Sequence, residues 1–153
     1  MKRTQIFGRV VYAPILVVVC ALVLAGCKSG TITGSEQTCK SEGGLLAGRK
    51  ATCTGSVGAV QGETSLGIID ADGDLSGNYK LDATIKVGKG EAKAYVSTAD
   101  GGKQRGKVSP GEPLRIGAVV GLDRDDEEVS LNLKVLGKEV EDLSYEATVA
   151  PQD

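Results

Sequence analysis

The sequence predicts an all-β domain, a small antiparallel β-sandwich or partly closed barrel of about seven strands. Three observations predict it. Apolar and polar residues alternate along most of the chain after Arg49. No stretch beyond residue 30 keeps a 3.6-residue period, and Gly- and Asp-rich turns separate the alternating runs. Alternation gives each strand one apolar face, and strands of that kind bury it by packing sheet on sheet.

The elements follow in order. A first strand is expected near 49–57 and a short one over 64–70. Tyr79, Leu81, Ala83, Ile85 and Val87 form the next apolar face, then Ala92, Ala94, Val96 and Thr98. Leu114 to Leu122, Val129 to Val135 and Leu143 to Val149 complete the set. Pro110 and Pro113 flank a turn before residue 114, since neither suits a central ladder. Hairpins are expected at Ala71-Asp72-Gly73-Asp74, Gly88-Lys89, Ala99-Asp100-Gly101-Gly102 and Gly137-Lys138. At Gly88-Lys89 a type II′ turn would set Ile85 opposite Ala92 and Ala83 opposite Ala94. At Gly137-Lys138, pairing Leu133 with Leu143 and Leu131 with Tyr145 forces an odd loop or a bulge. The expected core is Leu81, Ile85, Val96, Ile116, Val120, Leu131, Leu133 and Tyr145.

The first 26 residues have a different character. Lys2, Arg3 and Arg9 make a positive start, and Val10 to Gly26 carries no charge. This is the pattern of an export signal. As a helix the uncharged run would be about 25 Å long, marginal for a permanent span, and Pro14 weakens it further. It ends in Leu24-Ala25-Gly26-Cys27. That tetrapeptide resembles the lipobox of bacterial lipoproteins residue for residue. The resemblance implies a diacylglycerol on the Cys27 thiol, cleavage between Gly26 and Cys27, and acylation of the new amine. Cys20 follows the bulky Val18-Val19, does not fit the pattern and leaves with the leader. In bacteria with two membranes, Asp after the lipidated Cys goes with inner-membrane retention; Lys28 stands there, which points to the outer membrane.

This reading divides the chain into a signal peptide over 1–26, a lipidated N-terminus with a flexible tether over 27–38, and a β-domain over 39–150. The tether is inferred from the small polar run KSGTITGSEQT. With three cations lost in the leader, the formal charge falls from −2 for the whole chain to −5 after residue 26. A net acidic domain argues against nucleic acid and against anionic lipid bound by charge. Two cysteines remain, Cys39 and Cys53. In an oxidising compartment they read as one disulfide, worth roughly 3 kcal/mol for a loop of about 15 residues.

Catalytic signatures are missing. The chain has no histidine, which removes Ser-His-Asp and Cys-His arrangements, and no G-x-S-x-G occurs. Gly101 to Lys107 has the Gly/Lys skeleton of a phosphate loop, but Val108 replaces the Ser or Thr that would hold magnesium, so it reads as a basic turn. Asp70, Asp72 and Asp74 offer oxygens at the first three ligand positions of a calcium loop. Leu75 and Leu81 then stand where Gly and Glu are needed, and an Asp-Gly hairpin turn accounts for the same residues. The acidic run Asp123 to Glu128 reads as a solvated loop. The expectation is therefore a non-enzymatic, cofactor-free lipoprotein of the cell envelope, lipid-anchored with its domain facing periplasm or exterior. Its β-domain binds a protein partner there or serves structurally; the alternative is a calcium- or carbohydrate-binding surface module.

Overall fold

The computed structural model describes residues 30–42, 50–70, 77–122 and 128–152, with only the backbone of Asp70. They form eight strands: β1 Thr31–Glu42, β2 Lys50–Gln61, β3 Glu63–Asp70, β4 Gly77–Lys86, β5 Lys89–Ser97, β6 Lys103–Val108, β7 Leu114–Leu122 and β8 Glu128–Pro151. All pairings are antiparallel, and no helix occurs among the described residues.

The strands form one sheet folded over along a crease. The C-terminal half of β8 lies between β2 and β4, in the order β1-β2-β8-β4-β7. Its N-terminal half lies between β3 and β5, with β6 outside β5. Among the described residues the chain crosses from one layer to the other at Gly62, at Val87-Gly88, at Ser109–Pro113 and between Gly137 and Asp142, and these crossings make the crease. Alternation aims the apolar residues of both layers into the space between them, where they make one core. Ile68, Leu81, Ile85, Leu131 and Leu133 are at most 1% exposed, and all eight expected core residues are buried.

Two expected hairpins are bends instead. The runs 129–135 and 143–149 belong to one 24-residue strand, β8, rather than facing each other. Gly137 (φ 116°) and Asp142 (φ 52°) break the extended backbone, and the buried phase passes from Val135 to Val140 to Leu143 across them. Likewise β4 and β5 do not pair with each other; each pairs with β8. The Gly88 N–H donates to the carbonyls of Glu141 and Asp142 (3.0 and 3.2 Å) instead of closing a turn, and the positive φ falls on Gly90. The described β3 and β4 do not pair with each other, and the turn expected at Ala71-Asp72-Gly73-Asp74 lies outside the described residues. The turn at Ala99–Gly102 is a hairpin as expected, with Ser97 opposite Lys103.

Two strands were not expected. Gly101 to Lys107 reads in the sequence as a basic turn; Lys103–Val108, where only Val108 is apolar, is β6, held by backbone pairing to β5. Residues 31–38 had read as tether; they are part of β1, whose side chains are exposed except for the half-buried Ile32 and Cys39. Backbone pairing to β2 and the Cys39–Cys53 disulfide hold this edge in place. The two cysteines are direct cross-strand neighbours, 4.1 Å apart at Cα.

At the crease the backbones touch. A Cβ on Gly90 would lie 2.2 Å from the Glu139 carbonyl oxygen, and its φ of 77° disfavours any side chain. Gly117 on β7 has ordinary φ, and a Cβ there meets only Asp82 Oδ1 at 3.6 Å. Gly90→Ala is therefore expected to destabilise by about 3 kcal/mol or more, and Gly117→Ala by less than about 1 kcal/mol. Urea denaturation of the two variants against the parent measures the difference.

Candidate ligand cleft

The end opposite the crease is where the layers open. Asp70 faces Glu128 in the second layer and Gly77 faces Leu122 in the first, so four strand ends meet there. The β5–β6 hairpin reaches across at this end. Its turn is closed by Thr98 N–H to Gly102 O and Gly101 N–H to Thr98 O, both 3.0 Å, with Gly101 at φ 80°. The Ala99 N–H then donates to the Val119 carbonyl on β7 at 2.9 Å. This bond ties the tip of the second layer to the edge of the first and partly closes the sandwich.

Beside that contact lies a shallow cleft of about 830 Å³. Gly117, Ala118, Val119 and Pro151 give it a small apolar floor, and Asn78, Lys80, Thr98, Asp100, Gln104 and Gln152 give it polar walls. Three of the walls are already engaged. Lys80 sits 3.5 Å from Asp82, an exposed pair of little energetic worth. The Asp100 carboxylate accepts from the Thr98 hydroxyl and from the Gly102 N–H, and these bonds hold its pKa below the usual aspartate range. Asn78, Gln104 and Gln152 bring three carboxamides, each with donors and an acceptor.

On the far side of the sandwich, Tyr145 links the layers. Its ring lies against Gly55, its cross-strand neighbour, where a Cβ would come within 2.3 Å of the ring. Its hydroxyl donates to the Gly67 carbonyl on β3 at 3.3 Å. Burial raises the phenol pKa, so the hydroxyl keeps its proton and remains a donor.

The residues singled out by sequence do not gather at the cleft. Cys27, Asp72 and Asp74 lie outside the described residues, as does the side chain of Asp70, whose backbone ends β3. The Cys39–Cys53 bridge sits on the β1–β2 edge. Among the described residues no three His, Cys, Asp or Glu side chains come together as metal ligands. Sequence reasoning missed the cleft because its walls come from β4, the β5–β6 turn, β6 and the C-terminus. In the sequence Ala99 and Asp100 stand out only as part of a turn, and Thr98 only as the end of a strand face.

No protein-family model matches the sequence, and no curated protein matches it. Solved structures show low similarity. A family 11 carbohydrate-binding module of a cellulosomal cellulase from Clostridium thermocellum is 14% identical, with a TM-score of 0.31 over 84% of this chain and 91% of that one. An oxalate oxidase bound to the substrate analogue glycolate is 14% identical, with a TM-score of 0.39 over 86% of this chain and 58% of that one. Procruciferin, an 11S globulin from Brassica napus, is 16% identical, with a TM-score of 0.33 over 65% of this chain. The chain spans only 20% of procruciferin.

The hairpin tip yields a pH expectation. A depressed carboxylate pKa means the Asp100 bonds persist at neutral pH and are lost only as pH falls through that lowered value. Thr98→Ala removes the largest cause, so the Asp100 pKa should rise toward the ordinary range. Side-chain carbon chemical shifts followed by NMR through an acid titration read this directly.

Proposed function

We propose that this chain is a lipid-anchored lipoprotein of the cell envelope. Its β-domain is a non-catalytic surface module that takes a neutral, polyhydroxylated ligand of the carbohydrate class in the open-end cleft. The observation that carries the ligand class is the wall of Asn78, Gln104 and Gln152 over a floor of small apolar groups. Sugar hydroxyls both donate and accept, and carboxamides match them without a net charge to neutralise. The small apolar residues Gly117, Ala118, Val119 and Pro151 leave room for the apolar face of a ring, and no aromatic side chain lines the cleft.

The anchor rests on Leu24-Ala25-Gly26-Cys27 and the uncharged segment before it. The non-catalytic part rests on the composition: without histidine the usual partner for an activated Ser or Cys is missing. Envelope location and exposure of the domain to periplasm or exterior follow from the anchor, and outer-membrane placement where there are two membranes rests on Lys28 in the position after Cys27.

Two measurements test the proposal. Intact mass of protein taken from its native membrane should show a chain starting at Cys27 with acyl mass, and Cys27→Ser should give an unacylated precursor; a wild-type chain that keeps residues 1–26 would refute the anchor. NMR titration of the detergent-solubilised protein with neutral cello-, xylo- and chito-oligosaccharides should perturb Asn78, Gln104 and Gln152 together. Gln104→Ala should weaken that binding about fivefold, the worth of one lost hydrogen bond. Shifts scattered away from the cleft, or none with any of these sugars, would return the domain to a structural or protein-binding role.

A further inference from the structure

The outward face of the second layer carries an arrangement of charge that the fold does not require. Lys107 on β6 is directly opposite Lys93 on β5, and Lys93 is directly opposite Lys134 on β8. All three are exposed. Like charges opposite one another across strands are unfavourable, and here two such pairs adjoin. Arg105 and Lys103 extend the patch along β6, with the Lys103 ammonium 4.5 Å from the centre of the Tyr95 ring. Carboxylates answer only part of this charge: Glu91 pairs with Lys107 at 2.8 Å, and Glu63 is the cross-strand neighbour of Lys134. The outward face of the first layer is mixed, with Lys80, Lys86 and Arg115 among Asp82 and Glu146.

The lysine row lies at the crease end, and so does the start of the described chain. Gly30 packs so closely on β3 that a Cβ would stand 2.4 Å from the Glu63 carbonyl oxygen. Glu63, Lys134, Lys93 and Lys107 then follow as successive cross-strand neighbours. Three peptide steps separate Gly30 from Cys27, at most about 10 Å of extended chain. The cleft and the strand ends Asp70, Gly77, Leu122 and Glu128 are at the opposite end.

We infer that this face docks on an anionic lipid surface, the same membrane that holds the acyl chains. The inference rests on the anchor reading above. Acyl chains supply one membrane signal, and a basic patch within a Debye length of about 8 Å of the headgroups supplies a second. The anchor selects this occupant over a soluble polyanion, because it delivers the lysine row to the headgroups whenever the protein is membrane-bound. Docking on this face would keep the cleft at the end remote from the attachment point. It also revises the charge argument from composition: a net acidic chain can still present a cationic face.

The test uses the full lipidated protein reconstituted in two kinds of vesicle, phosphatidylcholine alone and phosphatidylcholine mixed with phosphatidylglycerol. Lysine acetylation rates are read by peptide mass spectrometry. Lys93, Lys107 and Lys134 should react roughly threefold or more slowly in the anionic vesicles, while Lys80 and Lys86 keep their rates, and high salt should abolish the difference. The double variant Lys93→Glu, Lys134→Glu changes only exposed side chains; with its melting temperature unchanged, it should lose the protection still readable at Lys103 and Lys107. Equal rates in both vesicles, on protein that carries acyl mass at Cys27, would overturn the docking face alone. Absence of that acyl mass would overturn the anchor reading and this inference with it. Stronger protection by dextran sulfate in neutral vesicles than by anionic lipid would assign the face to a soluble polyanion and overturn the membrane assignment.

Discussion

The backbone of β8 is hydrogen-bonded along both edges in both layers, so its change of direction between Gly137 and Asp142 sets the position of the strands beside it. β2 and β3 follow one side of it and bend at Gly62; β4 and β5 follow the other and bend at Val87-Gly88. Each bend must occur at the same level as that of β8, or the ladders on either side lose register. The close packing of Gly90 on Glu139 and the forked bond from Gly88 to Glu141 and Asp142 are the local form of this constraint. A side chain at Gly90 would push the layers apart where they are joined.

The fold gives the domain two unlike ends. At the crease, backbone packing is tight, the chain enters at Gly30 and three lysines line up across neighbouring strands. At the open end, among the described residues, the Ala99 bond to Val119 ties the layers, and the cleft lies beside that bond. Tyr145 gives a second tie between layers through its hydroxyl on Gly67. Its ring also covers the bare backbone at Gly55, so one side chain seals a weak point in a ladder and links the two layers. A domain built this way is tightly packed at the crease and open at the cleft end.

Much of the fold was legible in the sequence because side-chain alternation depends only on which face is buried. Leu81, Ile85, Val96, Ile116, Val120, Leu131, Leu133 and Tyr145 were placed in the core on phase alone, and the pairing of Cys39 with Cys53 on count and compartment. Connectivity was less legible. A glycine between two alternating runs fits a hairpin and a bend equally well, since both need a local departure from extended backbone. At Gly137 the odd phase between Val135 and Leu143 signalled an irregularity without saying which. β1 and β6 were hidden for another reason: their stability lies in backbone pairing and, for β1, a disulfide, so their side chains carry no apolar pattern. The cleft and the lysine row are products of register between distant strands. Lys93, Lys107 and Lys134 become neighbours only once β5 is known to lie between β6 and β8.

The central claim is that β8 is one continuous strand serving both layers, so the two layers form a single cooperative unit. Native-state hydrogen exchange at the amides of residues 131–135 and 143–149 tests it most directly. If β8 is shared, amides in both halves open with the same free energy, equal to that of global unfolding, and respond alike to added denaturant. Separate opening energies for the two halves, with one layer exchanging while the other stays protected, would contradict it.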